Sequence, residues 1–167
     1  MSQPNCFIGI DPGKGGGIAI LRDIGPTTTH KMPESDRDLF DLLTSTKIAP
    51  LAPVAFVEKV GATPQMGVVS AFKFGQSVGM LRMACVAARI RLEYVTPQKW
   101  QKHFGLIVKG RGLAQGDTAK KNRNKARAQE LFPAVKVTHA IADALLLADY
   151  GRALYRLAPL SHGVLTA

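Results

Sequence analysis

Three of the chain's 12 acidic residues stand where a carboxylate is costly. Asp11 follows the apolar run Cys6-Phe7-Ile8-Gly9-Ile10, Glu58 follows Val54-Ala55-Phe56-Val57, and Asp143 lies inside Ile-Ala-Asp-Ala-Leu-Leu-Leu-Ala. An ionised carboxylate in apolar company needs a compensating positive charge. No Lys or Arg lies near Asp143 in sequence. A divalent metal is the simplest shared solution, because hard cations take carboxylate oxygens as ligands. Metal-assisted hydrolysis is the chemistry such a set supports. The alternative is three unrelated residues at element ends, with Asp143 paired to a distant arginine. His139 precedes Asp143 by four positions, so on a helix the two face the same side. Tyr150 follows on that face, and Asp149 lies about a third of a turn away at roughly 100° per residue. His139 is therefore either a fourth ligand or an ordinary residue near a helix start.

Other nucleophiles are poorly supported. Ser2, Ser35, Ser45, Ser70, Ser77 and Ser161 lack a nucleophile elbow. Cys6 and Cys85 have no activating basic neighbour and read as reduced core residues of an intracellular protein. The Gly13–Gly17 stretch lacks the Lys-Ser/Thr ending of a phosphate loop, and the pattern after it is a strand rather than a helix.

The elements that would carry these residues follow from periodicity. Cys6–Ile10 and Ile18–Leu21, joined by Asp-Pro-Gly and a glycine-rich turn, predict an antiparallel hairpin. Leu39, Leu42 and Leu43 predict a helix within 34–46, behind Asp and Ser capping candidates. Val54–Val57 and Arg91–Val95 predict strands. Ser70–Arg89 predicts a long helix with Gly75 and Gly79 on one face, suited to close approach of another backbone. Thr96 and Pro97 open a short helix on which Trp100, His103 and Phe104 share a face. Three glycines and little apolar content over 109–118 predict a loop. A helix then runs from Asp117 or Thr118 to about Phe132, and a last one from His139 to Tyr155 has Ile141, Leu145 and Ala148 on its core face. The pattern is that of a mixed α/β domain spanning 1–167.

Charge narrows the partner. The 22 Lys and Arg against 12 Asp and Glu give +10. Residues 99–127 hold nine of the basic residues and one acid, Asp117, for +8; the remaining 13 basic and 11 acidic residues leave +2. A concentrated basic segment on a nearly neutral domain predicts contact with a phosphate backbone, against the alternative of a solvated surface. No apolar run approaches the ~20 residues of a membrane span, and the longest, Ile48–Val57, is broken by Pro50 and Pro53. The N-terminus lacks a secretory pattern, so a cytoplasmic location is expected.

The motifs IGIDPGKGGGIAIL, VAFVEKV and HAIADALLLADYG, in that order, resemble those of RuvC-type Holliday junction resolvases, members of the ribonuclease H-like nuclease superfamily. FKFGQSVGML, VTPQKWQKHFGL and the Lys-rich stretch ahead of ELFP extend the likeness from about Phe7 to Arg152. The resemblance implies an α/β fold with a ribonuclease H-like mixed five-stranded sheet flanked by helices. It makes Asp11, Glu58 and Asp143 the catalytic metal-binding carboxylates. The family's usual second acid before the last is missing here, and His139 is its substitute. Lys109, Arg111, Lys120, Lys121, Arg123, Lys125 and Arg127 become the DNA-binding set. On an ideal helix Lys120, Arg123 and Arg127 share one face, and Lys121 and Lys125 another.

The implied activity is Mg²⁺-dependent hydrolysis with two ions about 4 Å apart, Mn²⁺ being a substitute. The implied substrate is branched DNA, a four-way junction. Nicking two opposed strands implies a homodimer, for which the Phe72–Met83 helix face is a candidate interface unless it is core. Such an enzyme belongs in a bacterial cell or comes from a phage. The competing readings are another ribonuclease H-like nuclease (flap, nick or RNA–DNA hybrid), an actin/hexokinase-type ATP-binding domain, and a non-catalytic DNA-binding module.

Overall fold

The computed structural model describes residues 4–47, 52–61, 65–107 and 117–157. The apolar runs become β1 (Cys6–Asp11) and β2 (Gly17–Arg22), paired antiparallel from Cys6 opposite Arg22 to Asp11 opposite Gly17. The turn between them depends on glycine. Gly13 has φ 115°, and a Cβ on Gly16 would stand 2.1 Å from the Asp11 carbonyl oxygen. β3 (Thr28–Lys31) continues the antiparallel side, while β4 (Pro53–Glu58) and β5 (Arg91–Val95) add parallel strands beyond β1. The resulting order β3-β2-β1-β4-β5 is the mixed five-stranded sheet that the motifs implied. Periodicity alone did not reveal β3. Its residues, Thr-Thr-His-Lys, are polar and partly or fully exposed on a sheet edge, where no burial enforces alternation.

Five helices flank the sheet: α1 (Asp36–Ser45), α2 (Val68–Ala87), α3 (Pro97–His103), α4 (Asp117–Leu131) and α5 (His139–Leu157). Ser35 caps α1, its hydroxyl accepting from the Asp38 amide at 3.1 Å. Thr96 occupies the N-cap position of α3 without a side-chain capping bond, so Pro97 in the first turn is the operative start signal. α2 begins two residues before the expected Ser70, and α5 runs two beyond Tyr155.

Two apolar cores lie on opposite faces of the sheet. One gathers Cys6, Ile8, Ile10, Ala55 and Val57 with residues of α1 and α2; both cysteines are buried and free. The other gathers Phe7, Val54, Phe56 and Trp100 with Ala128 of α4 and Ile141, Leu145 and Ala148 of α5. α5 lies directly on β1. A Cβ on Gly9 would fall 1.9 Å from the Ala144 carbonyl oxygen, so only glycine permits this crossing. Among the described residues, no helix is long and apolar enough to cross a membrane.

The outer face of α2, open in sequence between interface and core, is exposed. Leu81, Ala84 and Cys85 are buried, but Phe72 is 65% and Met83 62% exposed, so that face is not core. Apart from the neighbouring backbone of α2 itself, nothing in the described structure lies within 4 Å of a Cβ built on Gly75 or Gly79.

Candidate active site

Strand alternation aims the first two acids. On β1, Cys6, Ile8 and Ile10 point to the α1/α2 core and Phe7 to the α5 core, so Asp11 emerges on the α5 side. On β4, Ala55 and Val57 point one way and Val54 and Phe56 the other, which puts Glu58 on the α5 side as well. The parallel register sets Ile10 opposite Val57, so Asp11 and Glu58 end neighbouring strands side by side. α5 brings the third acid. A Cβ on Gly17, the partner of Asp11, would lie 2.6 Å from the Ala140 carbonyl oxygen, which fixes the first turn of α5 over the strand end. Asp143 follows within that turn's reach, and its charge acts on both Asp11 and Glu58.

Burial raises all three acids, and neighbouring carboxylates add to it at Asp11 and Glu58. The Asp11 carboxyl is pushed up to about 7, first by burial and then by Asp143 and Glu58, with Lys121 and Lys120 opposing. Glu58 is raised by burial and by Asp143, against a hydrogen bond from Trp100 and the charge of Lys120. Asp143 is raised by burial, against a hydrogen bond from Asn124 and the charges of Lys120, Lys121 and His139. Among the described residues, no Lys or Arg forms an ion pair with any of the three. No arginine among the described residues forms an ion pair with Asp143. Its partner is neutral: Asn124 Nδ2 donates to Asp143 Oδ1 at 2.8 Å.

His139 opens α5 and is exposed; it reaches Asp143 through its charge and makes no hydrogen bond to it. Lys120 and Lys121 are exposed on the first turns of α4, and their charges reach the acids, one from each of the two stripes expected on an ideal helix. Lys125 and Arg123 are half-buried further along, and Arg127 is bound to Glu130 at 2.8 Å. Lys109 and Arg111 lie outside the described residues. The sequence reading overlooked two contributors. Trp100 was assigned only to a helix face, yet its Nε1–H donates to Glu58 Oε1 at 3.0 Å. Asn124 was not singled out, because a polar residue inside a basic helix carries no periodic signal of burial.

No family model and no curated protein sequence matches the chain. Solved structures do. The structure of Thermus thermophilus RuvC superposes with a TM-score of 0.55 at 16% identity, over 89% of this chain and 96% of that one. The fold is RuvC-like. T. thermophilus RuvC in complex with a Holliday junction substrate gives a TM-score of 0.56 at 17% identity, over 87% of this chain and 94% of that one. At this identity the RuvC likeness establishes the α/β architecture alone.

The acids form an open set. Among the described residues, no three His, Cys, Asp or Glu gather into a ready-made metal-binding group. The donor chemistry nonetheless fits a hard divalent cation: three half-buried carboxylates whose crowding raises the proton affinity of Asp11 and Glu58, with no Lys or Arg in contact among the described residues. Asp11, Glu58 and Asp143 are the residues that would hold it.

Proposed function

We propose that this protein is a divalent-metal-dependent, structure-selective DNA endonuclease that resolves four-way junctions by paired phosphodiester hydrolysis. One observation carries the reading. Three strained carboxylates converge from β1, β4 and α5 at one end of a RuvC-like sheet, under the field of Lys120 and Lys121.

The division of labour follows from that placement. Asp11, pushed up to about 7, would be the central ligand, with Glu58 and Asp143 completing the set and His139 assisting beside Asp143. Mg²⁺ bound there supplies the Lewis acidity for hydrolysis. Lys120 and Lys121 hold a phosphate beside the acids, which would otherwise repel the DNA strand. Lys125, Arg123, Arg127, Lys109 and Arg111 extend the contact along the backbone, so binding falls steeply with salt.

Paired nicking requires two such sites, and the second belongs to another copy of this chain. The exposed face of α2 suits that contact, since Val68, Val69, Phe72, Met83 and Val86 present an apolar surface to solvent. Gly75 and Gly79 leave room there for a second backbone.

The deciding experiment compares cleavage of a mobile four-way junction, a flap, a nicked duplex and an RNA–DNA hybrid in Mg²⁺. Symmetric paired nicks in the junction, lost in Asp11→Asn, support the proposal. Preferential cleavage of the flap, nick or hybrid moves the protein to another nuclease class. Wild-type rates in Asp11→Asn refute the site itself.

A further inference from the structure

The basic segment 99–127 is fastened to the acids near both of its ends. Trp100 lies near its start on α3 and Asn124 near its close on α4. Each gives one N–H to one carboxylate oxygen: Trp100 to Glu58 at 3.0 Å and Asn124 to Asp143 at 2.8 Å. Both donors are nearly sealed from solvent, at 0% and 2% exposure. Trp100 is walled in by the α5-side core, and Ala128, one turn beyond Asn124, is buried in the same core. Neither donor can swing to water, so each fixes the plane of its carboxylate.

Their neutrality is the informative feature. A Lys or Arg in contact would also hold an oxygen, but it would cancel the charge that a cation needs. An indole or a carboxamide N–H occupies one oxygen and leaves the carboxylate's charge and second oxygen available. The positive charges nearby, Lys120 and Lys121, act at longer range and make no ion pair with the acids.

We propose that Trp100 and Asn124 are positioning residues for the cation site, each orienting one carboxylate so that its free oxygen faces the space shared with Asp11. This rests on the metal-site reading above. The outer donor of a metal ligand typically changes metal affinity 10–100-fold. Trp100→Phe keeps the ring and loses the N–H; Asn124→Leu keeps the volume and loses the amide.

The test is Mg²⁺ binding to the DNA-free protein by calorimetry, with folding checked by thermal denaturation. Each folded variant is expected to bind Mg²⁺ about tenfold or more weakly than wild type. A second readout uses wild type alone. The chain has one tryptophan, hence one indole N–H resonance, which should shift saturably along the same Mg²⁺ titration. If Mg²⁺ binds wild type but the variants match it within twofold, or the indole resonance stays fixed, the positioning role is overturned and the metal site survives. If wild type binds no Mg²⁺, both readings fall. Loss of folding in Trp100→Phe leaves Asn124→Leu and the wild-type resonance to decide.

Discussion

Replacing Asp11 by Asn should make the metal-free protein more stable while removing its function. In the folded chain the Asp11 carboxyl titrates at about 7, against 3.8 for an unperturbed aspartate. The folded state therefore binds this proton more tightly than the unfolded state. The penalty is absent below the unfolded value, grows as pH rises from about 4 to about 7, and is constant above. A gap of roughly 3 units corresponds to about 4 kcal/mol, and water at the rim of the site reduces this to about 2–3 kcal/mol. Asn removes the charge and keeps the shape. In EDTA at pH 8 the variant should thus melt about 4–12 °C higher, at the 2–4 °C per kcal/mol usual for this chain length. At pH 4 the two proteins should nearly coincide. Mg²⁺ at about 100 times its dissociation constant should add about 2.7 kcal/mol to wild type and little to the variant. Thermal melts across this pH range, with and without Mg²⁺, make the measurement. An Asp11→Asn protein no more stable than wild type at pH 8 would show that the acids are not held in mutual strain, and the cation argument would lose its basis.

Three further outcomes follow from the same geometry. Gly9→Ala should cost about 3 kcal/mol or more in urea denaturation, because the new methyl would meet the α5 backbone at 1.9 Å and neither partner can yield. Lys120→Ala and Lys121→Ala should each weaken binding to junction DNA and lower the slope of log affinity against log salt by about 1, without sequence preference. If the proposed dimer forms through α2, Phe72→Glu and Met83→Glu should give a folded monomer in sedimentation whose melting temperature no longer depends on protein concentration, since both side chains are exposed on the isolated chain.

Asp11, Glu58 and Asp143 were legible in the sequence because burial and charge conflict there openly: each is a carboxylate in an apolar run whose length betrays its element. The hairpin was legible for a similar reason, as its glycines answer to a steric demand one turn away. The edge strand β3 was not, since a strand with no buried face need not alternate. Asn124 was invisible for the opposite reason. Its burial depends on how α4 docks against α5, a tertiary fact that no pattern within α4 encodes. The α2 glycines were misjudged in one respect. Their spacing suggested close approach of another backbone, but among the described residues none approaches them.

The excess charge now has a structural meaning that its sum of +10 lacks. Lys120 and Lys121 act on the acids without contacting them. The contacts themselves are made by Trp100 and Asn124, which are neutral. Had Lys120 and Lys121 bound the acids by salt bridges, they would have quenched the carboxylates and their own charge at once. Neutral donors at the contacts and lysines held at a distance leave both opposite charges available, as the proposed cation site and DNA contact require. The segment can therefore be anchored to the acid cluster and still serve the proposed substrate.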